Sequence, residues 1–142
     1  MAKLIFCETK GCWAAKFRQI CAPVDFEIEE TRLISDLPRS ISESPGSLIA
    51  IEVKHANVMQ IAELLDSLRF PLSQERGVAL LERTYRSCQS AVRRIGFIDL
   101  ISAPLDLERL HRLTQRHLSL LPEREQTWRE ELMARLPWQP NR

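Results

Sequence analysis

Glu8, Glu52 and Glu82 are the residues whose types and positions could carry chemistry in this chain. Each follows a short apolar run, LIFC, SLIAIEV or GVALL. If those runs are neighbouring strands, three carboxylates meet at one end of a sheet, an arrangement suited to a hard cation. The competing expectation is neutralisation by the nearby Lys10, Lys54 and Arg83, with the remaining carboxylate solvated. The segment Cys7-Glu-Thr-Lys-Gly-Cys12 lies where a strand runs into a helix. A thiolate loop that holds phosphate needs an arginine where Trp13 stands, so that chemistry is excluded. Thr9-Lys10-Gly11 could hold a small anion at the start of that helix. It lacks the glycine pattern of a phosphate-cradling loop and reads as an ordinary turn.

The remaining candidates are weaker. His55, His111 and His117 form no metal set, and Cys7, Cys12, Cys21 and Cys88 have no zinc-like pairing. No cofactor is implied. Arg83, Arg86, Arg93 and Arg94 make a locally basic helix with no acid among them, either a solvated face or a docking face for an acidic protein partner. Near the end of the chain Trp128, Leu132 and Leu136 repeat every four residues, followed by Trp138. Tryptophan is a frequent interface anchor. This stripe packs back on its own domain or on a second subunit or partner.

Apolar runs and helical stripes alternate along the chain, and these elements must position the carboxylates. Leu4–Cys7 is a first strand. Residues 11–22, with Trp13, Phe17, Ile20 and Cys21 at helical spacing, are a first helix ended by Pro23. Residues 26–34 begin with the alternation Phe26, Glu27, Ile28, Glu29 and read as an edge strand. A short helix over 37–42 and a turn at Ser44-Pro45-Gly46 lead into SLIAIEV, a central buried strand over 47–53. Asn57 is positioned to cap a helix over 58–68 whose apolar face is Ile61, Leu64, Leu65 and Leu68. GVALL, 77–81, is a fourth strand. A helix over 85–94 stops at Gly96, and 97–102 is a fifth strand. A helix over 106–121 carries Leu107, Leu110, Leu113, Leu118 and Leu121, and Pro122 opens a last helix to about Leu136. Strands alternating with helices imply a parallel sheet covered on both faces. The expected fold is α/β, a flavodoxin-like three-layer sandwich with five parallel strands in the order 2-1-3-4-5. Residues 1–121 form the domain and 122–142 a C-terminal helical extension.

A chain of 142 residues can bury a core without disulfides or metal. A net charge of +1 gives no general attraction to nucleic acid or to a membrane surface. No apolar run is long enough to span a bilayer, and MAKLIFCETK makes a poor signal peptide. Four unpaired cysteines fit a reducing, cytoplasmic location.

The segment GFIDLISAPL, 96–105, together with the strand order and spacing, resembles the last strand of a response-regulator receiver domain. The resemblance covers about 2–121. It implies an acidic pair after the first strand to hold magnesium, a phospho-accepting aspartate after the third, Ser or Thr after the fourth, and lysine before the proline of the fifth. Here Glu8 alone matches the acidic pair, Glu52 stands at the phospho-acceptor position, Glu82 at the Ser/Thr position, and Ala103 at the lysine. The resemblance therefore implies a pseudo-receiver in two-component signalling, unable to be phosphorylated and acting through a protein partner or as a homodimer. Acyl-phosphate formation needs positive charge opposite the transferred group, and none remains at 103. Glu52 could instead imitate a phosphorylated aspartate. The other expectation is a small flavodoxin-like enzyme or cation-binding protein built on Glu8, Glu52 and Glu82.

Overall fold

The computed structural model describes residues 2–54, 56–68, 76–82, 89–95 and 97–120. Strands β1 (Leu4–Cys7), β2 (Ile28–Thr31), β3 (Leu48–Glu52), β4 (Arg76–Leu80) and β5 (Asp99–Ile101) form one parallel sheet in the order β2-β1-β3-β4-β5. Between them run α1 (Cys12–Cys21), α2 (Leu37–Glu43), α3 (Val58–Leu68) and α4 (Gln89–Ile95), and α5 follows over 107–120. This is a flavodoxin-like α/β fold. The C-terminal extension lies outside the described residues, as do His55, Arg83, Arg86, Cys88, Gly96, Trp128, Leu132, Leu136 and Trp138.

Strand side chains alternate between two cores. Leu4, Phe6, Leu48, Ala50, Val78, Leu80 and Ile101 face α1 and α5, where Trp13, Phe17, Leu107 and Leu110 meet them. Ile5, Cys7, Ile49, Ile51, Ala79 and Leu81 face α2, α3 and α4, and meet Leu37, Ile41, Ile61, Leu64, Leu65 and Val92. Every residue of β1 and β3 is buried, so the continuous apolar runs of the sequence are the central strands.

The edge strands are shorter than their sequence patterns. β2 spans Ile28–Thr31 rather than 26–34 because it pairs only with the four residues of β1, after which the chain turns through a 3-10 segment, Ile34–Asp36, into α2. β5 pairs only with Val78–Leu80, and Pro104 opens a second 3-10 turn. At the outer edge of β5, Arg109 Nη2 donates to the Leu100 carbonyl at 2.8 Å and Asp99 Oδ1 accepts from the Leu100 amide at 2.8 Å. These side chains occupy ladder groups that another strand would use.

Helix α5 departs from its leucine pattern. Its buried face runs through Leu107, Leu110, Thr114 and His117, with Leu113 and Leu118 only half-buried. Thr114 Oγ1 donates to the Leu110 carbonyl at 2.8 Å, and His117 Nε2–H donates to the Gly46 carbonyl at 2.7 Å. Satisfied in this way, two polar side chains enter the core at little cost.

Candidate functional site

At the carboxyl end of the sheet, β1 and β3 send their chains to opposite faces, where open parallel sheets place their ligands. Glu8 follows β1. It is 2% exposed, and its Oε1 and Oε2 accept the backbone amides of Trp13 and Ala14, both at 2.8 Å. The residue at the helix start, Gly11, has φ +77° and no side chain to cap α1. The capping carboxylate is delivered from three residues upstream instead, in the electrostatic sense the helix dipole favours. The sequence reading assigned neutralisation to lysine or arginine. For Glu8 the neutralising group is the end of a helix.

Glu52, at the end of β3, is also buried. Its Oε1 accepts from the Thr9 hydroxyl at 3.0 Å and lies 3.2 Å from Lys54 Nζ. Lys54 Nζ donates to Thr9 Oγ1 at 3.1 Å, closing a triangle of carboxylate, hydroxyl and ammonium. Asn57 does not supply the helix cap expected of it. Its Oδ1 accepts from the Lys54 amide at 2.8 Å and its Nδ2 donates to the Glu52 carbonyl at 3.0 Å, so it shapes the loop that carries the triangle.

Glu8 and Glu52 line a hollow of about 200 Å³ together with Cys7, Thr9, Arg32, Leu33, Asn57 and Gln60. Glu82 and Ala103 line a different hollow of about 250 Å³, with Cys12, Trp13, Lys16, Ser102 and Pro104. The sequence reading put all four positions around one corner. In the structure Glu8 and Glu52 line one hollow, and Glu82 and Ala103 line another. Among the described residues, no group of three or more His, Cys, Asp or Glu could hold a metal ion. The pair Glu8 and Glu52 is present, but both carboxylates already have donors.

Arg32 escaped the sequence reading because it sits at the end of an alternating strand, where charge reads as edge protection. Its Nη2 donates to Glu30 at 3.2 Å. The opposite oxygen of Glu30 is held by Arg18. The Arg18 hydrogen bond, reinforced by Arg32, holds the Glu30 carboxyl below its ordinary range. A Cβ at Gly11 would lie 2.7 Å from Arg32 Nη2, so glycine there both permits the left-handed turn and leaves room for the guanidinium.

Among the described cysteines, Cys7 and Cys21 are buried and Cys12 is exposed. Burial pushes the Cys7 and Cys21 thiols up, which keeps them protonated and unreactive. Brief alkylation of the native protein is therefore expected to label Cys12 and to spare Cys7 and Cys21 until denaturant is added. Peptide mapping checks this, and labelling of native Cys7 as fast as Cys12 would contradict it.

No protein-family model, curated protein or solved structure matches this chain. Among the described residues, no helix is long and apolar enough to cross a membrane.

Proposed function

We propose that this chain is a receiver-like module that cannot be phosphorylated and that acts through protein contacts. The observation that carries this is the engagement of Glu8. In the receiver pattern the carboxylate after β1 holds magnesium. Here both its oxygens receive helix amides at 2.8 Å. The amino end of α1 already neutralises part of the charge that would otherwise draw a cation to this carboxylate. Two further features point the same way. One oxygen of Glu52 is engaged by both Thr9 and Lys54, and the lysine expected after β5 is Ala103, beside the other hollow.

Contacts with a protein partner or a second copy would use the surface around α4 and β5. Arg93 and Arg94 are exposed on α4, and Ile98 and Leu105 nearby in sequence expose apolar side chains, Leu105 to 85%. Exposed cations of this kind suit an acidic protein surface.

The test is incubation of the full chain with acetyl phosphate and magnesium, followed by intact mass measurement. No phospho-adduct is expected for the wild-type protein or for Ala103→Lys, whose ammonium would enter the hollow of Glu82. A magnesium-dependent adduct on Glu52 would overturn the reading.

A further inference from the structure

The hollow beside Ala103 is lined by one charge of each sign, Lys16 from α1 and Glu82 from the segment after β4. Cys12, one turn before Lys16 on the same face of α1, adds a thiol, and Ser102 after β5 adds a hydroxyl. None of these four side chains makes a hydrogen bond or ion pair with another described residue, and Lys16 and Glu82 do not pair with each other. The β1–β3 hollow is the reverse case, because its Glu8, Glu52 and Lys54 are all bonded to protein partners. Trp13, itself only 7% exposed, and Pro104 give the hollow beside Ala103 an apolar wall.

We propose that this hollow binds a free α-amino acid with a short apolar side chain. Its carboxylate meets the Lys16 ammonium, its amino group the Glu82 carboxylate, and its side chain Trp13 and Pro104. A simple anion drawn to Lys16 would also meet the like charge of Glu82, and a simple cation drawn to Glu82 would meet Lys16. A molecule carrying both charges satisfies both at once, through the charge-assisted hydrogen bonds that are the stronger kind. Lys16 and Glu82 are exposed, so a ligand reaches them from solvent without displacing a protein partner. A volume near 250 Å³ is roughly that of eight liquid waters, enough for an amino acid of modest size and too little for a nucleotide. The hollow lies at the carboxyl end of the strands, where open parallel sheets take their ligands. This site goes beyond the protein-contact reading and does not depend on it.

The probe is L-leucine, titrated into the full chain at neutral pH with ionic strength held constant by sodium chloride. It is compared with isocaproate, which lacks its amino group, and isoamylamine, which lacks its carboxylate. The readout is the backbone amide resonances of Lys16, Glu82 and Ser102. A saturable shift with leucine is expected, with each of the two half-molecules weaker by about tenfold or more. Lys16→Gln should erase the preference for leucine over isoamylamine, and Glu82→Gln the preference for leucine over isocaproate. Arg116→Gln, on the exposed face of α5, should bind leucine as the wild type does. Absence of saturation with leucine, binding of either half-molecule as tight as that of leucine, or a preference that survives in its own variant overturns the proposal.

Discussion

Replacing Glu8 with alanine is expected to destabilise the protein by about 2–3 kcal/mol, through loss of two charge-assisted hydrogen bonds at the start of α1. For a domain of this size that corresponds to a fall in Tm of roughly 10 °C. The loss is large because Glu8 is buried and Gly11 offers no side chain to take its place, so the Trp13 and Ala14 amides are left without acceptors. Glu8→Gln keeps one acceptor oxygen but turns an NH2 group toward the other amide, and should lose about half as much. Glu8→Asp is shorter by a methylene and should resemble alanine more than glutamine. Hydrogen exchange provides a local check, since the Trp13 and Ala14 amides should exchange faster in Glu8→Ala even under conditions where the whole protein remains folded. The effect should be the same with and without magnesium. A Glu8→Ala protein as stable as the wild type, or one whose loss appears only when magnesium is present, would return Glu8 to the role of a cation ligand.

The role of Glu8 also marks where the sequence stops being readable. Continuous apolar runs are legible because a parallel strand buried on both faces has no room for alternation, and β1 and β3 follow them closely. The order of the strands follows from alternation of strand and helix and from the acidic character of β2. A cap is ordinarily sought at the residue beside the helix. At α1 that residue is Gly11, and the carboxylate comes instead from the preceding strand end, a relation that exists only once β1 and α1 are placed. Asn57 shows the reverse, a residue in the right place for a cap whose side chain turns back to the Glu52–Lys54 loop. The buried Thr114 and His117 of α5 were hidden because polar side chains are read as solvated, while their backbone partners, Leu110 and Gly46, are supplied by the fold. That Glu52 and Ala103 line different hollows is equally out of reach, because no spacing along the chain encodes it.

Phe17→Ala is expected to cost about 3–5 kcal/mol, the largest single effect among the substitutions considered. Phe17 is fully buried at the middle of α1. Its ring meets Phe6 of β1 edge-on at 5.5 Å, His111 of α5 edge-on at 5.9 Å, and Phe26 at 6.3 Å. It thus joins helix, sheet and the neighbouring helix in one aromatic cluster. Truncation would leave a void beside Phe6, Phe26 and His111, and of these three rings the His111 imidazole alone can bond a water, short of the two or more partners a water needs, so relaxation can recover little. Phe17→Leu keeps most of the volume and should cost less than about 1.5 kcal/mol. Urea unfolding of both variants measures this, and a Phe17→Ala loss below that of Phe17→Leu would show that the cluster does not hold α1. The two strongest positions also test each other. Glu8 fixes the first turn of α1 and Phe17 its middle, so both act by docking the same helix against β1. Combined in the milder pair Glu8→Gln and Phe17→Leu, their losses should fall short of the sum by more than the few tenths of a kcal/mol seen for independent sites. A helix already loosened at its start has less packing to lose at its centre. Strict additivity would mean that the cap and the aromatic cluster stabilise separate parts of the molecule. In that case the capped turn could open on its own, and the Glu8 carboxylate would be free to serve the hollow beside it.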